Sequence, residues 1–183
     1  SCTTNSAAPV MAIVEKHWGV AKAMLTTIHS YTADQNLVDG PHKDLRRARS
    51  AAQNIVPTST GAAKAVGETM PKLVGKFDGI SVRVPTPVVS LSDFVILTKK
   101  NTTVEEVKAV LKKEAKLASW KGILQVSEEP LVSSDLIGNP YSSIVDLNMT
   151  NVVDGNLVKI VAWYDNEWGY SNRLVELAIK VSK

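Results

Sequence analysis

Apolar residues in this chain change period several times and never settle into a repeating strand–helix unit. That pattern narrows the fold more than any other feature of the sequence. Val10, Ile13, Val14 and Trp18 share a face at helical spacing. Ser1 can cap that helix and Gly19 can close it, while Pro9 predicts a loosened or kinked first part. "VAKAMLTTIH" (20–29) reads as a strand, and residues 31–54, without clean periodicity, predict a long loop. Long ordered loops in compact domains are usually functional. Residues 57–71 predict a turn and then a helix, with Thr60 or Gly61 at its start and Pro71 closing it.

Two strands, 79–84 and 87–98, are expected around "RVPTP". Residues 102–118 give the clearest helix, with Thr103 and Glu106 in a capping-box pattern and Val107 and Leu111 on its apolar face. "GILQVS", "SSIVDL" and "NLVKIVAWYD" predict further strands, and 169–181 a closing helix carrying Leu174, Leu177, Ala178 and Val181. The mixture predicts an α+β fold: a mainly antiparallel mixed sheet with helices packed on one face.

A length of 183 residues suits one domain with a substantial core. One cysteine excludes an internal disulfide framework and suits a reducing, cytoplasmic compartment. A formal charge of +3 with interspersed signs does not indicate nucleic acid as a partner. No apolar run reaches the length of a membrane span, so no membrane partner is expected. No glycine-rich nucleotide loop follows a strand, and no metal ligand set is assigned. The chain begins at a motif without an initiator Met, as expected either for a piece of something longer or for Met removal before a small residue.

The single thiol, Cys2, stands at the predicted helix start. Unpaired N–H groups and the positive end of the macrodipole favour thiolate there, so a reactive thiol is expected. A lone Cys is more often a small buried hydrophobe. His29, however, ends the strand that runs back beside the helix, which makes a nucleophile–base pair geometrically feasible. Thr32, the loop arginines 46, 47 and 49, the helix start at 58–61, and Arg83 at a strand end are candidate anion groups. Together with a Cys–His pair they suggest attack on the carbonyl of a phosphorylated substrate.

"SCTTN", "TTIHSYTADQ", "DLRRARSAAQNIVPTSTGAAKAV", "RVPTPVVSL" and "WYDNEWGYSNR" resemble, in order and along the whole chain, the catalytic domain of the glyceraldehyde-3-phosphate dehydrogenase family. The resemblance implies that residues 1–183 form a catalytic, substrate-binding and tetramer-forming domain, with the N-terminal NAD-binding domain absent. It implies an oxidoreductase of glycolysis acting on glyceraldehyde-3-phosphate and inorganic phosphate with NAD and no metal. Cys2 is then the nucleophile and His29 the base. Ser1, Arg47, Thr60 and Gly61 correspond to the site of the attacking phosphate, Thr32 and Arg83 to the grip on the substrate's own phosphate, and Thr3 to the substrate- and phosphate-binding set. Asn166 corresponds to the nicotinamide contact, with Tyr170 nearby, and loop 31–54 to the segment lining the cofactor pocket and a neighbouring subunit. Pro41 matches the NAD-using pattern. Many family members carry a second cysteine where this chain has Ser6, so oxidation of Cys2 is expected to stop short of an internal disulfide. An erythrose-4-phosphate dehydrogenase, or a non-catalytic module with a redox-sensitive thiol, are the alternatives.

Overall fold

The computed structural model describes residues 1–182. Among the described residues four α-helices are present: α1 (Cys2–His17), α2 (Ala62–Thr69), α3 (Val104–Glu114) and α4 (Trp168–Val181). Seven strands, β1 (Val20–Ser30), β2 (Val56–Ser59), β3 (Phe77–Val84), β4 (Ser90–Thr98), β5 (Leu124–Ser127), β6 (Ser143–Val153) and β7 (Leu157–Tyr164), form one sheet in the order β2-β3-β1-β4-β7-β6-β5. Only β1–β3 and β5–β6 pair in parallel; the remaining ladders are antiparallel. The fold is therefore the mainly antiparallel α+β arrangement that the sequence predicts.

The core lies between one face of the sheet and three helices. Val10, Ile13 and Val14 of α1, Val66 of α2 and Leu111 of α3 pack with Leu25, Phe94, Ile96 and Ile160 from the strands. Each such side chain contributes about 1.5–3 kcal/mol by leaving water. That packing explains why α1 runs unbroken through Pro9, against the expected loosening. The ring has no N–H for the Asn5 carbonyl, but Pro9 and its apolar neighbours are buried, and tertiary packing outweighs one missing helix bond.

Two glycines set the path of the chain towards the site. Gly19, at φ +71°, closes α1 and turns the chain directly into β1. Gly79 lets β3 lie against β1: a Cβ there would stand 2.4 Å from the Leu25 carbonyl oxygen.

Three local readings are corrected. Residues 56–59 form strand β2, not a turn, because Val56–Ser59 pairs with Arg83–Ile80 at the sheet edge, where Pro57 is tolerated. Pro71 does not close α2; Met70 caps it, and Pro71 opens a 3-10 turn, Pro71–Leu73. Helix α3 ends at Glu114, short of 118, and half its capping box is replaced. Glu106 N–H donates to Thr103 Oγ1 at 3.2 Å, but the Glu106 carboxylate accepts from the Thr102 hydroxyl at 2.7 Å.

Helix α4 covers little of the sheet. Gly169 is its only buried residue, and Leu174, Leu177 and Val181 lie exposed, as does Trp168 in its first turn. The opposite sheet face is also open: Met24, Val95, Leu97 and Leu157 line a groove of about 760 Å³. No helix among the described residues is long and apolar enough to cross a membrane.

Buried Glu114 ties the end of α1 to α3 by accepting from Lys16 Nζ (2.7 Å), pairing with His17 Nε2 (2.7 Å) and accepting from Trp120 Nε1 (3.0 Å). Burial pushes its carboxyl up, but these donors outweigh burial and hold it at about 2. A depressed carboxyl contributes stability that is complete above its ordinary 4.5 and is lost as pH falls towards 2. Glu114→Gln is expected to lower urea-unfolding stability at pH 7 by about 2 kcal/mol. The difference from the parent chain should shrink as the pH is lowered through that window; a constant difference would contradict this assignment.

Candidate active site

Ser1 caps α1, its hydroxyl accepting from Thr4 N–H at 3.1 Å, so Cys2 is the first helical residue and its own N–H has no partner within the helix. The Gly19 turn brings the end of β1 back to that point. Cys2 Sγ lies 3.5 Å from His29 Nε2, as the sequence predicts for this pair.

His29 Nδ1 meets an acceptor, the Ser30 carbonyl oxygen at 2.7 Å, and a donor, Arg83 Nη1 at 2.9 Å. We assign the ring proton to Nδ1 on the shorter of the two contacts. Nε2 then faces Cys2 as a lone-pair acceptor. Arg83, directly opposite His29 in the parallel β1–β3 register, places Nη1 2.9 Å from Nδ1 and donates to the same Ser30 carbonyl at 3.2 Å. With the proton assigned to Nδ1, the Nδ1–Nη1 approach is a contact between two donors that share the Ser30 carbonyl as acceptor. Burial is the main cause that brings His29 down to about 4, with the Arg83 charge next; the Ser30 carbonyl opposes them and the Arg47 charge adds a little. The imidazole is therefore neutral at pH 7.

Behind the pair lies a polar layer that the sequence reading missed. The fully buried Tyr164 hydroxyl is 2.8 Å from Thr3 Oγ1 and 2.8 Å from Thr27 Oγ1, and its ring meets His29 edge-on. Burial holds the phenol well above its usual range, so it stays protonated. Ser30 and Ser90 hydroxyls donate to Asn166 Oδ1 at 2.8 and 3.0 Å, and Ser90 Oγ also accepts from Ser30 N–H at 3.1 Å. Thr27 alternates with His29 on the inward face of one strand, and Tyr164 directly precedes the Asp165–Asn166 pair. Those were the available signals.

The remaining predicted residues fall into separate groups. Arg47 stands across the loop, donating to Thr58 Oγ1 (2.9 Å), Asp34 Oδ2 (2.6 Å) and the Ser59 carbonyl (3.2 Å). Thr60 Oγ1 accepts from Ala62 N–H at 3.2 Å at the start of α2, and Gly61 is exposed at its N-cap. Thr32 is half-buried just beyond β1. Thr3 is buried, its hydroxyl engaged by Tyr164. Tyr170 is half-buried in the first turn of α4. Asn166 has both Oδ1 bonds filled, while Nδ2 has no partner among the described residues.

A thiol at a helix start, a neutral imidazole aimed at it and a guanidinium alongside suit thiol-dependent chemistry on an anionic carbonyl substrate. The sequence pattern of the glyceraldehyde 3-phosphate dehydrogenase C-terminal domain matches residues 1–166. The chain belongs to that family. It is 55% identical over 183 residues to glyceraldehyde-3-phosphate dehydrogenase of Mycobacterium avium, spanning 53% of that protein. It is 52% identical over 181 residues to glyceraldehyde-3-phosphate dehydrogenase 2 of Streptomyces avermitilis, and 50% identical over 183 residues to the Zymomonas mobilis enzyme, spanning 54% of each. The chain thus covers 99–100% of itself in these matches but only about half the length of the relatives.

Tyr164→Phe removes the hydroxyl that joins Thr3 to Thr27 and leaves two buried hydroxyls to find other partners. It is expected to cost roughly 2 kcal/mol in urea unfolding. A change within about 0.5 kcal/mol would show that the buried bonds contribute little.

Proposed function

We propose that residues 1–183 form the catalytic domain of an NAD-dependent, phosphorylating glyceraldehyde-3-phosphate dehydrogenase, a cytoplasmic oxidoreductase of glycolysis. The observation that carries the reading is the 3.5 Å approach of Cys2 Sγ to His29 Nε2. Nε2 takes the thiol proton as Sγ attacks the aldehyde carbon, giving a hemithioacetal. The developing oxyanion is met by the Cys2 N–H at the start of α1 and by the protonated His29 ring. NAD, when bound, supplies the hydride acceptor that converts this adduct to a thioester. Inorganic phosphate then attacks the thioester carbonyl, the acyl phosphate leaves, and Sγ departs as thiolate to recover its proton from His29.

Asn166 fits the nicotinamide: with Oδ1 held by two serine hydroxyls, Nδ2 is presented as a donor for a carboxamide oxygen. Thr32 and Arg83 are assigned to the substrate phosphate. Ser1, Arg47, Thr60 and Gly61 are assigned to the attacking phosphate, with Tyr170 beside the cofactor. The exposed apolar side of α4 supports docking of a dinucleotide-binding domain, in keeping with relatives about twice this length. The open sheet groove supports self-association, as a tetramer.

The thioester half-reaction needs no nicotinamide, so it can be tested on this chain. Incubation with acetyl phosphate is expected to add one acetyl group to Cys2, seen by intact mass and removed by inorganic phosphate. His29→Asn should slow acylation by about 100-fold. No thioester on the parent chain, or equal rates in the two, would overturn the reading.

A further inference from the structure

A cavity of about 360 Å³ opens beside α1 and shares no residue with the Cys2–His29 site. One wall is a second face of α1. Asn5, Ala8, Pro9 and Ala12 recur there at i, i+3, i+4 and i+7, offset from the core face of Val10, Ile13 and Val14. The small side chains of that face leave the space open. Met70, which caps α2, and Trp120, between α3 and β5, stand on other walls. The Trp120 indole is held in place by its N–H, which donates to Glu114 at 3.0 Å. The space is much larger than one water, about 30 Å³, and falls within the about 300–1,000 Å³ of small-molecule sites.

Two polar groups on this largely apolar wall lack partners. Ser142, immediately before β6, is only 4% exposed, and its Oγ bonds to nothing among the described residues. Arg173 of α4 donates through Nη1 to the Gly122 carbonyl and through Nη2 to Glu176 at 2.6 Å, yet its buried Nε has no acceptor. Buried donors are rarely left unpaired, and two on one cavity wall define what would complement them: an acceptor oxygen. Glu176 already balances the Arg173 charge, so that oxygen can be neutral or anionic. Trp120, Met70 and the Pro9 ring in turn suit a flat apolar body.

We propose that this cavity is a binding site for a small aromatic molecule carrying one acceptor group, a carboxylate or a carbonyl. Its ring packs against Trp120, Met70 and the small-residue face of α1, and its oxygen accepts from Ser142 Oγ and Arg173 Nε. The site is separate from the nucleophile and does not rest on the dehydrogenase reading.

The probes are 4-fluorobenzoate and 4-fluorobenzamide, titrated into the 183-residue chain at pH 7 and followed by fluorine NMR, with 4-fluorotoluene reporting the ring alone. At least one of the first two is expected to bind saturably, with Kd of about 1 mM or tighter, and to move the Trp120 indole N–H signal. The tighter of the two identifies the charge of the oxygen. 4-Fluorotoluene is expected to bind about fivefold more weakly, and Ser142→Ala to weaken the better probe by about fivefold. Ala12→Leu, a good helix former that fills the cavity from α1, should abolish binding. No saturable binding of either probe to the parent chain would overturn the proposal, as would unchanged affinity in Ala12→Leu or equal affinity for 4-fluorotoluene. Saturable binding that leaves the Trp120 signal unmoved would place the ligand elsewhere and overturn it without recourse to any variant.

Discussion

A single buried phenol joins the two elements that carry the reacting atoms. Tyr164, at the end of β7, contacts Thr3 on the first turn of α1 and Thr27 on β1, one residue beyond Cys2 and two before His29. The hydroxyl has no water to turn to, so both bonds must be kept or replaced at a cost. Helix start and strand end are thereby held in register from below, and the thiol and the imidazole meet without either being the last residue of a free segment.

Above that layer the electrostatics work in opposite directions. The helix start favours negative charge on Cys2, whereas burial and Arg83 disfavour positive charge on His29. The Ser30 carbonyl reconciles the two by fixing the ring proton on Nδ1 and accepting from Arg83 as well. The pair is thus aligned for proton transfer from Sγ to Nε2. The next serine-rich layer, Ser30 and Ser90, orients Asn166 in the same economical way, by filling its oxygen and leaving its nitrogen free. Val89, at φ +69°, stands immediately before Ser90 and places a β-branched residue in left-handed backbone at the entry to this layer.

The parts legible in the sequence were those set by neighbours along the chain. The Ser1 cap, the Gly19 stop and the alternation through "TTIH" define a helix, a tight turn and a returning strand, and so bring Cys2 to His29. The parts set by distant pairing were not legible. β2 is four residues long with Pro57 inside it and exists because β3 offers an edge more than twenty positions later. Arg83 looked like an anion residue at a strand end, but its contact with His29 depends on the parallel register of two strands separated by the whole long loop. Tyr164 signalled only its place beside Asp165 and Asn166; its bonds were not legible, since both partners lie more than 130 positions away. Helix α4 was legible as a helix; that its apolar side stays uncovered is a property of the assembled domain.

The account turns on where the His29 proton resides. Nitrogen-15 NMR of the imidazole in the 183-residue chain at pH 7 reads that directly, because protonated and lone-pair nitrogens differ widely in shift. The structure predicts a neutral ring with the proton on Nδ1 and the lone pair on Nε2, facing Cys2. A ring protonated on Nε2 alone, or an imidazolium in anion-free buffer, would contradict it.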